Sequence, residues 1–254
     1  MYDELKKIIK ESKRIVFFGG AGVSTESGIP DFRSESGLYH AKQSYGRSPE
    51  DMLSIDFFEE DPVTFFDYYK KNLIATWAKP NPAHLALTKL EQQGKLSAVV
   101  TQNIDGLHSL AGTFQVYELH GSVYRNRCRW CGKKYDLDYV MDPENCKDPD
   151  GKEDGIPRCS CGGIVKPEVV LYGEMLDEDC ISGAVGAIAN ADTLIIGGTS
   201  LAVYPAAGFI RYFRGKHLVL INMSETPYDS EADLVIRDPI GKVLGTAVSE
   251  LYGE

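Results

Sequence analysis

The sequence contains no apolar run near the roughly 20 residues that a membrane-spanning helix requires, so no segment of it reads as a bilayer span. Cationic charge is also short: 27 Lys and Arg face 37 Asp and Glu, leaving a net charge of −10. A nucleic-acid surface needs clustered cations to displace the counterions of the phosphates, and this composition argues against one. An acidic protein suits a basic partner better, and a lysine-rich peptide qualifies. Residues 1–13 read as a charged amphipathic segment with Leu5, Ile8 and Ile9 on one face, so no signal peptide is expected in them. The expectation is a cytoplasmic monomer with no nucleic-acid or membrane partner. Cysteine is scarce, six in all. In a reducing compartment these thiols read as metal ligands or free groups before they read as disulfides.

What is present is enough for one sizeable core: 254 residues, 43% of them apolar. Short apolar runs at 14–18, 97–101, 116–119, 193–196 and 218–221 alternate with helical patterns at 62–77, 82–93, 177–189, 205–213 and 239–251. Strands buried on both faces look like this, so the expected fold class is α/β, a Rossmann-like doubly wound parallel sheet. Pro62, Pro82, Pro205 and Pro239 suit first-turn positions, where no amide partner is lost. From 123 to 166 the rhythm breaks into charges, turn residues and five of the six cysteines. That stretch reads as a small inserted module between two halves of the sheet.

The first apolar run leads into Gly19-Gly20-Ala21-Gly22-Val23-Ser24-Thr25. Glycines between a strand and a helix let backbone amides approach a phosphate. Thr25 stands where G-x-G-x-x-G wants its third glycine, so the loop alone is compatible with nucleotide binding or with a tight structural turn. Cys128-Arg129-Trp130-Cys131 and Cys159-Ser160-Cys161 supply two thiolate pairs. Thiolates so spaced bind zinc tetrahedrally, which lets a polar insert hold a shape without a core of its own. The ligand set is read as Cys128, Cys131, Cys159 and Cys161, with Cys146 as a substitute for the second pair. Four thiolates leave no open position for water, so the single Zn2+ is structural.

The string Gly20-Ala21-Gly22-Val23-Ser24-Thr25-Glu26-Ser27-Gly28-Ile29-Pro30-Asp31-Phe32-Arg33 closely resembles the opening motif of the sirtuins. The resemblance continues at Thr101-Gln102-Asn103-Ile104-Asp105, at His120-Gly121, at Lys166-Pro167-Glu168-Val169-Val170-Leu171-Tyr172-Gly173-Glu174, and at Gly198-Thr199-Ser200-Leu201-Ala202-Val203-Tyr204-Pro205-Ala206-Ala207. It implies NAD as co-substrate, a discontinuous NAD-binding domain at 1–122 and 167–254, and a zinc module at 123–166. It implies that His120 is the base that activates a ribose hydroxyl, with Asn103 beside it as a catalytic residue. Gly20, Ala21, Gly22, Thr25 and Arg33 fall to the phosphates. Ile29, Asp31, Phe32, Ile104 and Asp105 fall to the nicotinamide and Gln102 to the ribose. Gly198, Thr199, Ser200, Asn222 and Ile240 fall to the adenosine side. Val169-Val170-Leu171-Tyr172 reads as a short strand after the inserted module, and the resemblance implies that Val170, Tyr172, Gly173, Glu174 and Val203 flank an acylated lysine added as a strand.

The reaction implied is removal of an acyl group from lysine, yielding free lysine, nicotinamide and acyl-ADP-ribose. Desuccinylase relatives carry Tyr-x-x-Arg in the helix before the Asn81-Pro82 segment. Phe66 and Tyr69 occupy those places here, so an acidic acyl group lacks its partner and acetyl is the expected substrate. Protein ADP-ribosylation would use the same site and is not separable by sequence. A zinc-containing peptide adaptor would make no use of Asn103 and His120, and a dehydrogenase would need the glycine that Thr25 replaces. The other histidines, His40, His84, His108 and His217, read as packing or surface residues.

Overall fold

The computed structural model describes residues 1–30, 44–202 and 204–253. Ile15-Val16-Phe17-Phe18 opens strand β1 (Ile15–Gly19), and every residue of β1 is buried. Ile15 and Phe17 enter one core, whereas Val16 and Phe18 enter another. A strand with apolar side chains on both faces needs helices above and below it. The first layer is supplied by helices Asp3–Glu11, Pro82–Gln92 and Ile240–Tyr252. The second is helix Glu178–Asn190 with the 3-10 helix Ala206–Tyr212.

β2 (Leu96–Thr101), β3 (Val116–Glu118), β7 (Thr193–Gly197), β8 (His217–Ile221) and β9 (Leu234–Ile236) complete a six-stranded parallel sheet in the order β3-β2-β1-β7-β8-β9. The first three strands extend one way and the last three the other, which is the dinucleotide-binding order. Its switch point lies between β1 and β7, where ligands of open α/β sheets bind. Among the described residues no helix is long and apolar enough to cross a membrane.

β4 (Gly121–Cys128), β5 (Lys134–Tyr135) and β6 (Val165–Val169) form a second, antiparallel sheet in the order β5-β4-β6. It shares a core with the helices Pro49–Met52, Ile55–Glu60 and Pro62–Asn72, built on Phe57, Phe58, Phe65, Phe66 and Tyr69 against Val123 and Val169. Asp61 caps the last of these helices by accepting the Thr64 amide, and Pro62 takes its first position. That helix stops at Asn72, short of the expected residue 77. The Asn72 side chain takes up the Tyr68 carbonyl, and Trp77 folds over Gly28.

Three local expectations are corrected. Residues 169–172 were expected as one strand, but β6 ends at Val169, and Tyr172 keeps only an isolated bridge to Ser54. The glycine loop is followed by two 3-10 turns, Ala21–Val23 and Thr25–Ser27, not by an α-helix. Pro205 and Pro239 are cap residues outside the first turn.

His84 and His108 are buried together beneath β1, with ring centroids 4.6 Å apart. Burial holds His84 down to about 4 and His108 well below its ordinary value, with the neighbouring His84 adding to the second effect. Both rings are neutral in the native state, whereas an unfolded imidazole takes up a proton near pH 6.5. Acid therefore favours the unfolded chain: stability falls as pH drops through about 6.5 and, for His84, levels off below about 4. The expected slope is roughly 1.4 kcal/mol per pH unit for each fully titrating histidine. Urea midpoints at pH 7, 6 and 5 test this above the carboxylate range, and a flat or rising profile would contradict it.

Candidate active site

The switch point opens into a cavity of about 320 Å³. Gly20 and Ala21 approach it from β1, Gln102 to Asp105 from β2, and Gly198, Thr199 and Ser200 from β7. The glycines are required by contact. A Cβ on Gly20 would stand 2.9 Å from Thr199 Cβ, and one on Gly22 would stand 2.7 Å from the Gly198 Cα. The Gly22 amide donates to the Gly198 carbonyl at 2.8 Å, locking the two strand-end loops together. Bare backbone thus lines the crevice where side chains would fill it, a fit for the extended body of a dinucleotide.

His120 follows Leu119 immediately beyond β3 and lines the same cavity. Its Nδ1 lies 3.0 Å from the Gln102 carbonyl oxygen. A carbonyl can only accept, so Nδ1 carries the proton and Nε2 keeps its lone pair in the neutral ring. Gly121 next to it has φ +77°, and a Cβ there would meet the Glu168 carbonyl oxygen at 1.8 Å. The contact lies where β4 pairs with β6, Gly121 opposite Val169. Gly121→Ala is expected to cost about 3 kcal/mol or more, combining left-handed strain with a backbone collision. A urea midpoint indistinguishable from wild type would refute that.

Ser24, quoted in the opening motif but given no role from sequence, is the hub of the polar wall. Its hydroxyl donates to Asp105 Oδ2 at 2.6 Å and accepts from Asn103 Nδ2 at 3.0 Å. Burial pushes the Asp105 carboxyl above its ordinary value, against hydrogen bonds from Ser24 and the Leu107 amide that favour the ionised form. The signal was a small hydroxyl one turn past a glycine loop; its partners, about 80 residues downstream, were not legible. The cavity's other walls include Ile29, Val170, Tyr172, Gly173 and Glu174, all singled out from sequence, and Pro49, Glu50, Leu53 and Leu73, which were not.

Four candidates lie away from the cavity wall. Gly22 is spent on the Gly198 contact, and Thr25 donates to the Gly22 carbonyl at 3.0 Å. Asn222 donates to the Ser224 carbonyl at 2.8 Å beyond β8, and Ile240 is buried in the core near Gly197. Asp31, Phe32, Arg33 and Val203 lie outside the described residues, as does His40.

At one end of the second sheet, where β4 ends at Cys128, the sulfurs of Cys128, Cys131, Cys159 and Cys161 all lie within 4.8 Å of one another, with Cys128–Cys161 and Cys131–Cys159 both at 3.5 Å. Zinc–sulfur bonds of about 2.3 Å in a tetrahedron give edges near 3.8 Å, so the cluster fits one zinc ion. A backbone hydrogen bond from Cys161 and the Tyr135 hydroxyl pull the Cys159 thiol down to about 6. Cys161 is pushed the other way by thiol partners, to about 12, against an opposing Gly163 amide. Four thiolates this close cannot all ionise without a cation among them. Cys146 stands outside the cluster, its sulfur 3.1 Å from Lys70 Nζ.

Strand order, crevice and glycine contacts together make this a dinucleotide-binding α/β protein with a four-thiol module. The Sir2 family profile matches residues 20–205, and the chain belongs to that family, in agreement with the motifs read above. It is 60% identical over 247 residues to an NAD-dependent protein deacetylase of Clostridium acetobutylicum, with 97% of each chain covered. It also resembles the solved structure of a Sir2 protein with p53 peptide and NAD+, at TM-score 0.83 and 35% identity over 100% of this chain and 99% of the other. A Sir2 variant holding deacetylated p53 peptide and 3′-O-acetyl-ADP-ribose matches at TM-score 0.85 and 37% identity, over 98% of each chain.

Proposed function

We propose that this protein is an NAD-dependent protein-lysine deacetylase that transfers the acetyl group to ADP-ribose. The observation that carries the reading is one cavity bordered by Gly20 and Gly198 on one side and by residues 170–174 on another, with His120 on its wall. A dinucleotide laid against the glycines and an acyl-lysine entering beside Val170 and Tyr172 would meet at that imidazole. NAD supplies an anomeric carbon with nicotinamide as leaving group, and the acyl oxygen of the peptide is the nucleophile. The Gln102 carbonyl holds His120 in the tautomer whose Nε2 accepts a ribose-hydroxyl proton. Asn103, oriented by Ser24, and Asp105 give the cavity fixed hydrogen-bonding groups for the nicotinamide and its ribose. Zinc among the four thiols would hold β4 and β6 and take no part in the chemistry.

The domain division that goes with this reading is 1–122 and 167–254 for NAD and 123–166 for zinc, in a cytoplasmic monomer that acts on acylated proteins and not on nucleic acid. Acetyl should be preferred to succinyl. Phe66 and Tyr69 are fully buried in the aromatic core against the antiparallel sheet, and among the described residues lining the cavity there is no Lys or Arg, while Glu50 adds a carboxylate. A succinyl carboxylate would enter beside like charge with no cation to receive it. Mass spectrometry of acetyl- and succinyl-lysine versions of one peptide, each incubated with protein and NAD, should show acetyl loss that requires NAD. The acetyl kcat/KM should exceed the succinyl value by about tenfold or more, equivalent to about 1.4 kcal/mol. No acetyl loss would end the proposal, and faster succinyl loss would end the preference.

A further inference from the structure

The cavity wall formed by residues 170–174 has no strand of its own, since β6 ends at Val169. Its first residue is tied down by backbone, the Val170 amide donating to the His120 carbonyl at 2.9 Å. Its middle is tied through Tyr172, which exchanges bonds with Leu53 and Ile55 at 2.9 Å each. The turn is closed by Glu174, whose amide donates to the Leu171 carbonyl and whose Oε2 accepts the Leu171 amide at 2.8 Å. The same oxygen accepts from Lys166 Nζ at 2.9 Å. Lys166 also donates to the carbonyls of Pro167 and Val169, both at 3.1 Å. An ammonium has three protons, so all of its donors are spent inside the protein. Burial pushes this ammonium down, and the hydrogen bond and charge of Glu174, with a smaller pull from Glu168, oppose that.

We propose that Lys166 and Glu174 are a positioning pair for the acyl-lysine substrate, fixing the turn at 170–174 in the form the peptide meets. The proposal rests on the deacetylase reading above. Glu174, singled out from sequence as a substrate contact, acts through Leu171: its Oε2 already serves two donors. Without Lys166 that carboxylate would sit against a half-buried wall with no counter-charge, and it would swing towards water and release the Leu171 amide. The dinucleotide side is built on Gly20, Gly198, Thr199 and Ser200, none of which bonds to either member of the pair. Loosening the turn therefore falls on the peptide and spares NAD.

Steady-state kinetics with an acetyl-lysine peptide separates the two substrates. Lys166→Met should raise the peptide KM about tenfold while the KM for NAD stays within about twofold. Glu174→Gln keeps an acceptor for the Leu171 amide and should raise the peptide KM about threefold. The double variant should be no worse than Lys166→Met, because the unpaired carboxylate is gone, and Lys166→Arg should recover most of the loss. A protein that merely folds less well would lose active fraction, and so kcat, with no selective change in peptide KM. If Lys166→Met does not fold, Glu174→Gln carries the same split alone. Peptide KM values within twofold of wild type, a parallel rise for NAD, or losses that multiply in the double variant would each overturn the pairing. Wild-type protein that fails to deacetylate would overturn the functional reading and the pair with it, whereas active wild type with unaffected variants would overturn the pair alone.

Discussion

His120→Ala is expected to lower NAD-dependent deacetylation by about 10²–10⁴-fold, the usual contribution of a positioned general base. The size follows from how little else among the described residues of the cavity wall can do its work. Asp105 lines the same wall, but its carboxyl already accepts the Ser24 hydroxyl and the Leu107 amide. Asn103 has no titratable proton, and Glu50 comes from a separate helix, Pro49–Met52. The His120 ring is further specialised by the Gln102 carbonyl, which commits Nδ1 to donate and leaves Nε2 to accept. Because the imidazole acts on a hydroxyl proton and not on binding, the loss should appear in kcat, with both KM values within a few-fold of wild type. Circular dichroism and urea midpoints should match, since the side chain is only part-buried. A variant that keeps more than a tenth of wild-type kcat would remove His120 from this role.

How far the sequence discloses this arrangement depends on where each residue's partners lie. β1, β2, β7 and β8 are legible because their apolar runs are continuous, as double-sided burial demands. β4 is not: its buried Ser122, Val123, Asn126 and Cys128 are interleaved with exposed Tyr124, Arg125 and Arg127, and two of the four are polar. The eye takes such a segment for loop, and only its cysteine betrays it. The helices at 49–60 are short and each needs the aromatic core of its neighbours to be stable, so local periodicity is too brief to register. At the site the motif residues on strand ends were legible through their chemistry. Ser24 and Lys166 were missed as actors because their roles are bonds to Asp105, Asn103 and Glu174, which exist only once the chain is folded.

Removing zinc is expected to unravel the thiol end of the second sheet, outside the aromatic core that holds Val123 and Val169, while leaving the six-stranded sheet folded. The reason is the size of the core around the thiols: Cys128, Val140, Cys159 and Val165 are its buried members, and two of these are ligands themselves. Its two valines, Val140 and Val165, contribute about 1.5–3 kcal/mol each, against an ordering cost of about 1–2 kcal/mol for every residue of the loops between them. Structural zinc sites supply an apparent 10–16 kcal/mol near neutral pH, more than that core can replace. The large sheet has its own cores on both faces, free of cysteine ligands, and should persist. Activity should nevertheless fall, because the same strand β4 begins at the residue after His120 and the Val170 amide bonds the His120 carbonyl. A chromogenic zinc indicator should record one equivalent released by a strong chelator. Four thiols should become reactive as it leaves, and thermal unfolding should split into a low and a high transition. Protein that carries no zinc yet keeps full deacetylation and a single transition would show that the thiols hold the module together without a metal.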